Sequence, residues 1–600
     1  MKRMLLSATT LAWMVAAPLI ATAIPKTPSA KAARSNNLDA RRKQLDALLK
    51  EQWEYTLRTS PEFASILGDK RYNDRLSDFS QKQIDADIRA THEFLKRFEA
   101  VDTTGFPEQE ALNNELMVRN LREEIESERF KPWEQPVTQF GGVHLEAPQL
   151  VPLLSFANVK DYEDYISRLK QLPRLMNENI AQMRKGEADK LMPPKILLDQ
   201  VVKQANSIAT QKPEETPFAQ PVLKFPDGTS PADQKRLHDA VIAAIRDSVL
   251  PAYVNFAKFV HDDYAPKGRT EIGTWSLPDG TARYAFRVRQ STTTNMAPED
   301  IHQLGLKEVV RIEEGQLEIA KKLGFQDLKS FRESLKTNPK VHPTSREQIL
   351  DEYRHYEDQM WAKLPLLFGR LPKAKLEVRP IPAYQEKEAA TNYQQGTPDG
   401  SRPGHVMVNT YDYANQLTIT NESTAYHEGV PGHHMQISIA QELPELPPFR
   451  QQGNYTAYVE GWALYCERLG KEVGFYQDPY NDYGRLDDEM LRAIRLVVDT
   501  GIHYKKWNRQ QVVDFMREHS STNEATIQSE TDRYIAWPAQ ALAYKIGQLT
   551  ILRLREHAKP ELGDKFDIKA FHDEVLGAGA LPMDVLERRI NAWIAKQKGT

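Results

Sequence analysis

Apolar residues recur every three to four positions over most of this chain, the spacing that lines one face of a helix. Leu45, Leu48, Leu49, Trp53 and Leu57 show it in the stretch from Asp39 to about Glu126. The same period predicts long helices over 159–208, 233–261, 298–324 and 345–366. Pro298-Glu299-Asp300 is a helix start, with proline in the first turn and acids beside it. Between 205 and 232 Pro, Thr and Gln break the period and predict a surface loop. Strand signals are few, the clearest being Leu376-Glu377-Val378-Arg379 and Val406-Met407-Val408-Asn409, with Gly and Pro between them. They predict a small antiparallel β ribbon ahead of residue 421, whose free edge would hold an extended peptide by strand addition or serve only as a structural hairpin. With no fixed-period repeat, the fold class is mainly α.

The first residues carry a different pattern. Lys2 and Arg3 precede a mostly apolar run from Met4 to Ile20, and Ala21-Thr22-Ala23 offers small residues for cleavage. Residues 1–23 are therefore expected to be a signal peptide, with 24–37 a flexible lead-in rich in Ala, Ser, Pro and Lys. The product would be exported, periplasmic or secreted, and with no Cys after the apolar run a lipid anchor is not expected. Elsewhere no apolar run reaches the 18 or so residues that span a bilayer, so stable membrane insertion is not expected. The net charge of -4 is small for 600 residues and gives no reason to expect nucleic acid. The single cysteine, Cys466, sits in an apolar helical pattern and reads as a buried hydrophobe. Without disulfides the chain depends on its core, which this length supports in more than one unit.

The chemistry concentrates in Tyr426-His427-Glu428-Gly429-Val430-Pro431-Gly432-His433-His434, followed by Glu460 in Tyr458-Val459-Glu460-Gly461-Trp462-Ala463. Two imidazoles and a carboxylate are the usual ligands of a catalytic zinc, and a second carboxylate beside them is the usual base. The common spacing is His-Glu-x-x-His on one helix. Here His427 lies six residues from His433 and seven from His434, roughly 10 Å of rise on a regular helix, too far for one ion. Gly429, Pro431 and Gly432 resolve this, because they are poor helix-interior residues and predict a break after Glu428 that brings a second imidazole back. Spacing alone leaves His433 and His434 as alternatives. Three of 15 histidines within eight positions is not a chance-like distribution. Zinc is the expected ion, although this donor set also tolerates cobalt or manganese.

Further polar residues sit on apolar helical patterns downstream. Arg533, Gln540 and Tyr544 fall on one helical face, at i, i+7 and i+11, with Tyr534 adjacent. Arg495, Asp499 and His503 share another, and a carboxylate four residues from an imidazole can orient or charge it. Glu467, seven after Glu460, is placed to hold a ligating imidazole.

The run Glu422 to His434, Glu460-Gly461-Trp462-Ala463-Leu464-Tyr465, Arg495 to His503, Arg533 to Lys545, and Arg402-Pro403-Gly404 with Val408-Asn409-Thr410 together resemble the bacterial DUF885 family over most of the chain. That family resembles helical zinc metallopeptidases of the thimet oligopeptidase and angiotensin-converting-enzyme type. The resemblance implies a large helical shell around a central channel, residues 38–600 as its catalytic region, and two halves of about 38–295 and 296–600. It maps a Gly-His ligand onto Gly432-His433, making His427, His433 and Glu460 the metal ligands and Glu428 the general base. It further implies Tyr534 or Tyr544 as oxyanion donor with His503 as partner, and Arg533, Gln540 and Asn409 as substrate contacts.

The expected function is an exported zinc metallopeptidase acting on short peptides, with a carboxypeptidase-type cut if Arg533 holds a free carboxylate. The alternatives are a metal-dependent amidase or esterase on a non-peptide compound, and a non-catalytic exported binding protein, in which Glu428 would have no use.

Overall fold

A computed structural model describes residues 30–382, 386 and 389–599, with side chains from Asn37 onward. The signal peptide 1–23 and residues 24–29 lie outside the described residues. The remainder of the supposed lead-in is helical, because Ala30-Lys31-Ala32-Ala33-Arg34 are strong helix formers and open the helix Ala30–Thr59.

The fold is mainly α, as the periodicity requires. Three core regions follow the chain. In the first, helices Ala30–Thr59, Gln81–Glu99 and Glu108–Glu128 close over Leu45, Leu48, Leu49, Phe94, Phe98, Met117 and Leu121. The second runs over 137–265, where helices Val159–Ala188 and Lys195–Ala209 pack on a helical stretch from Pro231 to Tyr264 that includes π turns at Ile245–Val249 and Val260–Tyr264. That last stretch is the one among the described residues long and apolar enough to cross a membrane, yet Leu237, Val241, Ile245, Tyr253 and Phe256 spend its apolar side on the core. The third region, from about 284 onward, carries the interlocked helices that build the site.

Several boundaries differ from expectation for local reasons. The helix expected over 159–208 breaks between Ala188 and Lys195, at Pro193-Pro194. The helix expected over 345–366 ends at Trp361, ahead of the short turn Leu364–Leu367 that contains Pro365. The expected loop 205–232 is not simply surface, since Phe218, Ala219 and Val222 are buried in the second core. Nor do the cores divide at 295: Leu112 and Leu116 join the C-terminal core, Arg450 donates to Asn113 Oδ1 (2.8 Å), and Tyr284 and Val288 pack with Leu496 and Leu542.

The sheet corrects the antiparallel ribbon. β1 (Leu376–Pro380) pairs parallel with β3 (Gly404–Val408), and β2 (Asn392–Gln394) pairs antiparallel on β3's other side. Parallel pairing needs a crossover. The chain makes it by passing through β2 first, a short strand whose Asn-Tyr-Gln sequence gave no strand signal. β3 is buried along its length, and Val406 and Val408 pack with Ile349, Leu350, Tyr353 and Ala425, so the sheet seats the helix that carries His427.

Candidate metal centre

The helix Asn421–Glu428 stops where the glycines demand it. Gly429 takes φ -94°, ψ -122°, the Val430–Pro431 peptide is cis, and a new helix runs from His433 to Gln441. Both glycines are sterically required. A Cβ on Gly429 would fall 1.6 Å from Glu357 Oε1, and one on Gly432 would fall 1.9 Å from the carbonyl oxygen of His427. Beneath the break the Val430 N–H donates to Glu357 Oε2 (3.1 Å), and burial pushes that carboxyl well above its usual range. The Pro431 carbonyl accepts from Trp462 Nε1 (2.8 Å) and Cys466 Sγ (3.3 Å). Trp462 thus clamps the break from the helix Thr456–Glu472, which also bears Glu460.

That helix is itself held close. A Cβ at Gly461 would lie 2.4 Å from the Cα of Gly547, so its neighbour, the helix Ala543–Leu562, packs backbone to backbone. The Glu460-Gly461-Trp462 run therefore combines a candidate ligand, a close approach and a clamp.

The break brings three donors together. His427 Nε2 and His433 Nε2 lie 3.6 and 3.4 Å from Glu460 Oε2, and donor atoms of all three residues fall within 4.8 Å of one another. The imidazole rings stand perpendicular with centroids 4.8 Å apart. Ligands about 2.0–2.1 Å from a tetrahedral ion are about 3.3 Å apart, close to the separations of the two histidines from Glu460. His434 faces elsewhere: its Nδ1 accepts from Tyr393 (3.1 Å) and its Nε2 donates to the Ala374 carbonyl (3.2 Å).

The surroundings set protonation. His427 Nδ1 donates to Glu467 Oε1 (2.7 Å), leaving Nε2 toward the centre. Burial alone would lower His427, but Glu460 and Glu467 raise it to about 9. Glu460 feels burial upward more than any other single influence, yet the two histidines together hold it well below the carboxylate range. Burial raises Glu428, against the pull of His427 and His433.

His427, Glu428, His433 and Glu460 line a cavity of about 1790 Å³ that also meets Asn392, Tyr393 and Asn409. Its other wall is the helix Pro479–His503. Along that helix Asp488 accepts from Ser423, Arg492 bonds Asp488 Oδ1 (3.1 Å) and approaches Glu467 Oε1 (3.5 Å), and Arg495 reaches Glu530 Oε2 (3.0 Å). Arg495 also stacks over Tyr544, 4.6 Å from the ring centroid. Asp488, Arg492 and Glu530 escaped sequence reading, although Asp488-Arg492-Arg495-Asp499-His503 is a polar stripe at helical spacing.

Other candidates are placed differently. Arg533, Gln540 and Tyr544 do not share one helix: Glu524–Ala536 ends before Pro538, and Gln540 opens the turn Gln540–Leu542. Arg533 and Tyr544 line the cavity while Gln540 and Tyr534 do not. Tyr534 is buried and spends its hydroxyl on Glu530 (2.6 Å). Asp499 and His503 do not pair. Asp499 accepts from the Tyr284 hydroxyl (2.7 Å) and the Ala539 N–H (3.0 Å); His503 Nδ1 accepts from the Thr274 N–H (3.0 Å), and its Nε2 donates to the Tyr534 carbonyl (2.9 Å). Burial lowers His503 to about 3, so it is a neutral packing group. Asn409 reaches the cavity, but its amide holds the carbonyls of Glu386 (2.8 Å) and Ala389 (2.6 Å).

A family model described as "Bacterial protein of unknown function (DUF885)" matches residues 61–590. Among solved structures, "the putative lipoprotein from Colwellia psychrerythraea" is 30% identical over 93% of this chain and 100% of that one, with a TM-score of 0.88. A "putative lipoprotein of unknown function from Shewanella oneidensis" is 18% identical over 91% of this chain and 99% of that one, with a TM-score of 0.67, a likeness of fold alone. No curated protein matches the chain.

Proposed function

The chain belongs to the DUF885 family, and we propose that it is an exported zinc-dependent peptidase that hydrolyses short peptides inside its helical cavity. One observation carries the reading: His427 Nε2, His433 Nε2 and Glu460 Oε2 converge at ligand spacing with the Glu428 carboxylate beside them in a large cavity. In this reading the centre is a relative of the helical zinc-peptidase type, with the break at 429–432 in place of the two-residue spacer.

His427, His433 and Glu460 would hold the ion, and Glu467 would fix the tautomer of His427. When bound, the ion supplies Lewis acidity to the hydrolysis. Glu428 accepts a proton from the attacking water and delivers it to the leaving amine. Its position next to His427 and its carboxyl, raised by burial, suit both halves of that transfer. β2 is an edge strand on the cavity wall, and strand addition there would hold an extended substrate independently of its side chains. A cavity of about 1790 Å³ suits an oligopeptide better than a small amide or ester, and a folded protein would not enter. An envelope location agrees with the N-terminal signal pattern and with the description of the two relatives as lipoproteins.

The test is mass spectrometry of a defined mixture of short peptides incubated with zinc-loaded protein and with Glu428→Gln. The wild type should cleave, and the variant should lose about 10²- to 10⁴-fold in kcat while binding zinc normally. Intact peptides in both samples, with zinc present, would remove the peptidase reading.

A further inference from the structure

The wall beyond the metal ligands carries an unbalanced charge. Arg495 and Arg533 both lean on a single carboxylate, Glu530: Arg495 Nη2 at 3.0 Å, Arg533 Nε at 3.1 Å and Arg533 Nη2 at 3.3 Å. Among the described residues neither arginine has another acidic partner within ion-pair distance. Tyr534 also donates to Glu530, so three donors share its Oε2. Two guanidiniums against one carboxylate leave one positive charge at the cavity surface. Arg495 is 6% exposed, and its Nη1 has no hydrogen-bond partner. A buried unmade bond on a charged group is costly, and Arg495 and Arg533, whose Nε likewise makes no hydrogen bond, both carry one on the cavity wall.

Arg492, one turn earlier on the same helix, shows the contrast. It has two carboxylates, Asp488 and Glu467, and its task is to steady the group that holds His427. Tyr544 lines the cavity against Arg495.

We propose that Arg495, Arg533 and Tyr544 form a subsite for the free C-terminal carboxylate of a peptide, making this chain a carboxypeptidase-type enzyme. The inference rests on the peptidase reading and names its substrate class. Planar guanidiniums match a carboxylate with paired N–H donors, and the surplus charge selects an anion over an amide. Arg495, Arg533 and Tyr544 line the same cavity as His427, Glu428, His433 and Glu460, so a peptide held there by its terminal carboxylate presents a bond near its C-terminus to the centre.

The experiment uses the full zinc-loaded chain and one peptide made with a free acid and with an amidated C-terminus. Cleavage should release short C-terminal fragments, and amidation should lower kcat/KM by about 10- to 100-fold, mostly through KM. Arg533→Gln should bring the free acid down to the rate of the amide, and Arg533→Lys should recover part of the difference. Calorimetric binding to Glu428→Gln gives a readout without turnover: the free acid should bind at least tenfold tighter than the amide. Equal rates on acid and amide, or cuts at internal bonds, would overturn the subsite while leaving the peptidase reading intact. If no peptide is cleaved, the peptidase reading falls. Calorimetry then decides the subsite alone: tighter binding of the acid supports it, and equal binding overturns it.

Discussion

The core over 137–265 and the helix Pro479–His503 are both deeply buried, and they bury opposite things. The first is filled by Leu169, Met176, Leu198, Val201, Leu237, Val241, Tyr253 and Phe256. Two of its buried ions face residues 61–77: Lys70 pairs with Asp161 (2.9 Å), and Arg168 serves the carbonyls of Pro61, Tyr72 and Arg75. The second buries Arg485, Asp487, Glu489, Arg495, Asp499 and His503 within one helix. Apolar residues of similar volume would often stabilise such positions equally well or better. On the peptidase reading, a helix that desolvates so many ions is organised for chemistry, whereas the 137–265 core is organised for support.

Two substitutions break that contrast from either side. Lys545 is fully buried and lies 2.6 Å from Glu489 and 3.0 Å from Glu308. Lys545→Met should cost about 3–5 kcal/mol of unfolding free energy, because two carboxylates lose the buried one of the two cations they share and then share only Arg311. Leu237→Ala, in the other region, should cost about 2–5 kcal/mol through a cavity. Denaturant titration would give similar losses, and activity per folded molecule would separate them. Leu237→Ala should keep kcat/KM on peptides, while Lys545→Met should lower it, since Tyr544 is its neighbour. A comparable activity loss in Leu237→Ala would sink the assignment of 137–265 to support.

The same contrast explains what the sequence disclosed. The grouping of His427, Glu428 and Glu460 with one of His433 and His434 was legible because few residue types ligate metal and because Gly429, Pro431 and Gly432 announce a break in the helix, while the choice of His433 came from the family resemblance. Glu467 was legible through its spacing from Glu460. The fold class and most helices followed from the apolar period, which reports burial directly. Partner choice was not legible. Asp499 and His503 sit at i, i+4, yet Tyr284, Ala539, Thr274 and Tyr534, all distant in sequence, take their hydrogen bonds. Glu357 and Glu530 carry no local mark that separates them from surface acids. Alternation located β1 and β3 but not their sense, which the weak strand β2 decides.

Glu467→Gln sharpens the comparison at the site. Glu467 is 2% exposed and accepts from His427 Nδ1 at 2.7 Å. An amide in its place weakens the hold on the imidazole and should reduce zinc affinity about 10- to 100-fold, measured by chelator competition. Asp161→Asn, a buried carboxylate of the supporting core, should leave zinc affinity unchanged. Equal zinc binding by wild type and Glu467→Gln would show that His427 is positioned by packing alone.

The smallest effect concerns pH. Asp499 is fully buried, and loss of hydration pushes its carboxyl up to about 7 against the opposing bonds from Tyr284 and Ala539. In an unfolded chain the same group titrates near 3.9. The native state therefore holds this proton where the unfolded state has released it. Its contribution to stability is fully present below about pH 4 and is lost as pH rises through 7. Asp499→Asn removes that dependence while keeping an acceptor for the Tyr284 hydroxyl. Between pH 4 and 7 the stability difference, variant minus wild type, should rise with pH, because only the wild type releases this proton on unfolding. Measuring the difference rather than either curve cancels the other carboxylates, among them Glu489 and Glu530, both held to about 2 by their cationic partners against the upward push of burial. A flat difference would mean that Asp499 is ionised throughout, and that Tyr284 and Ala539 together outweigh its burial. The helix would then be able to hold an uncompensated carboxylate, a capacity for which the 137–265 core shows no comparable means.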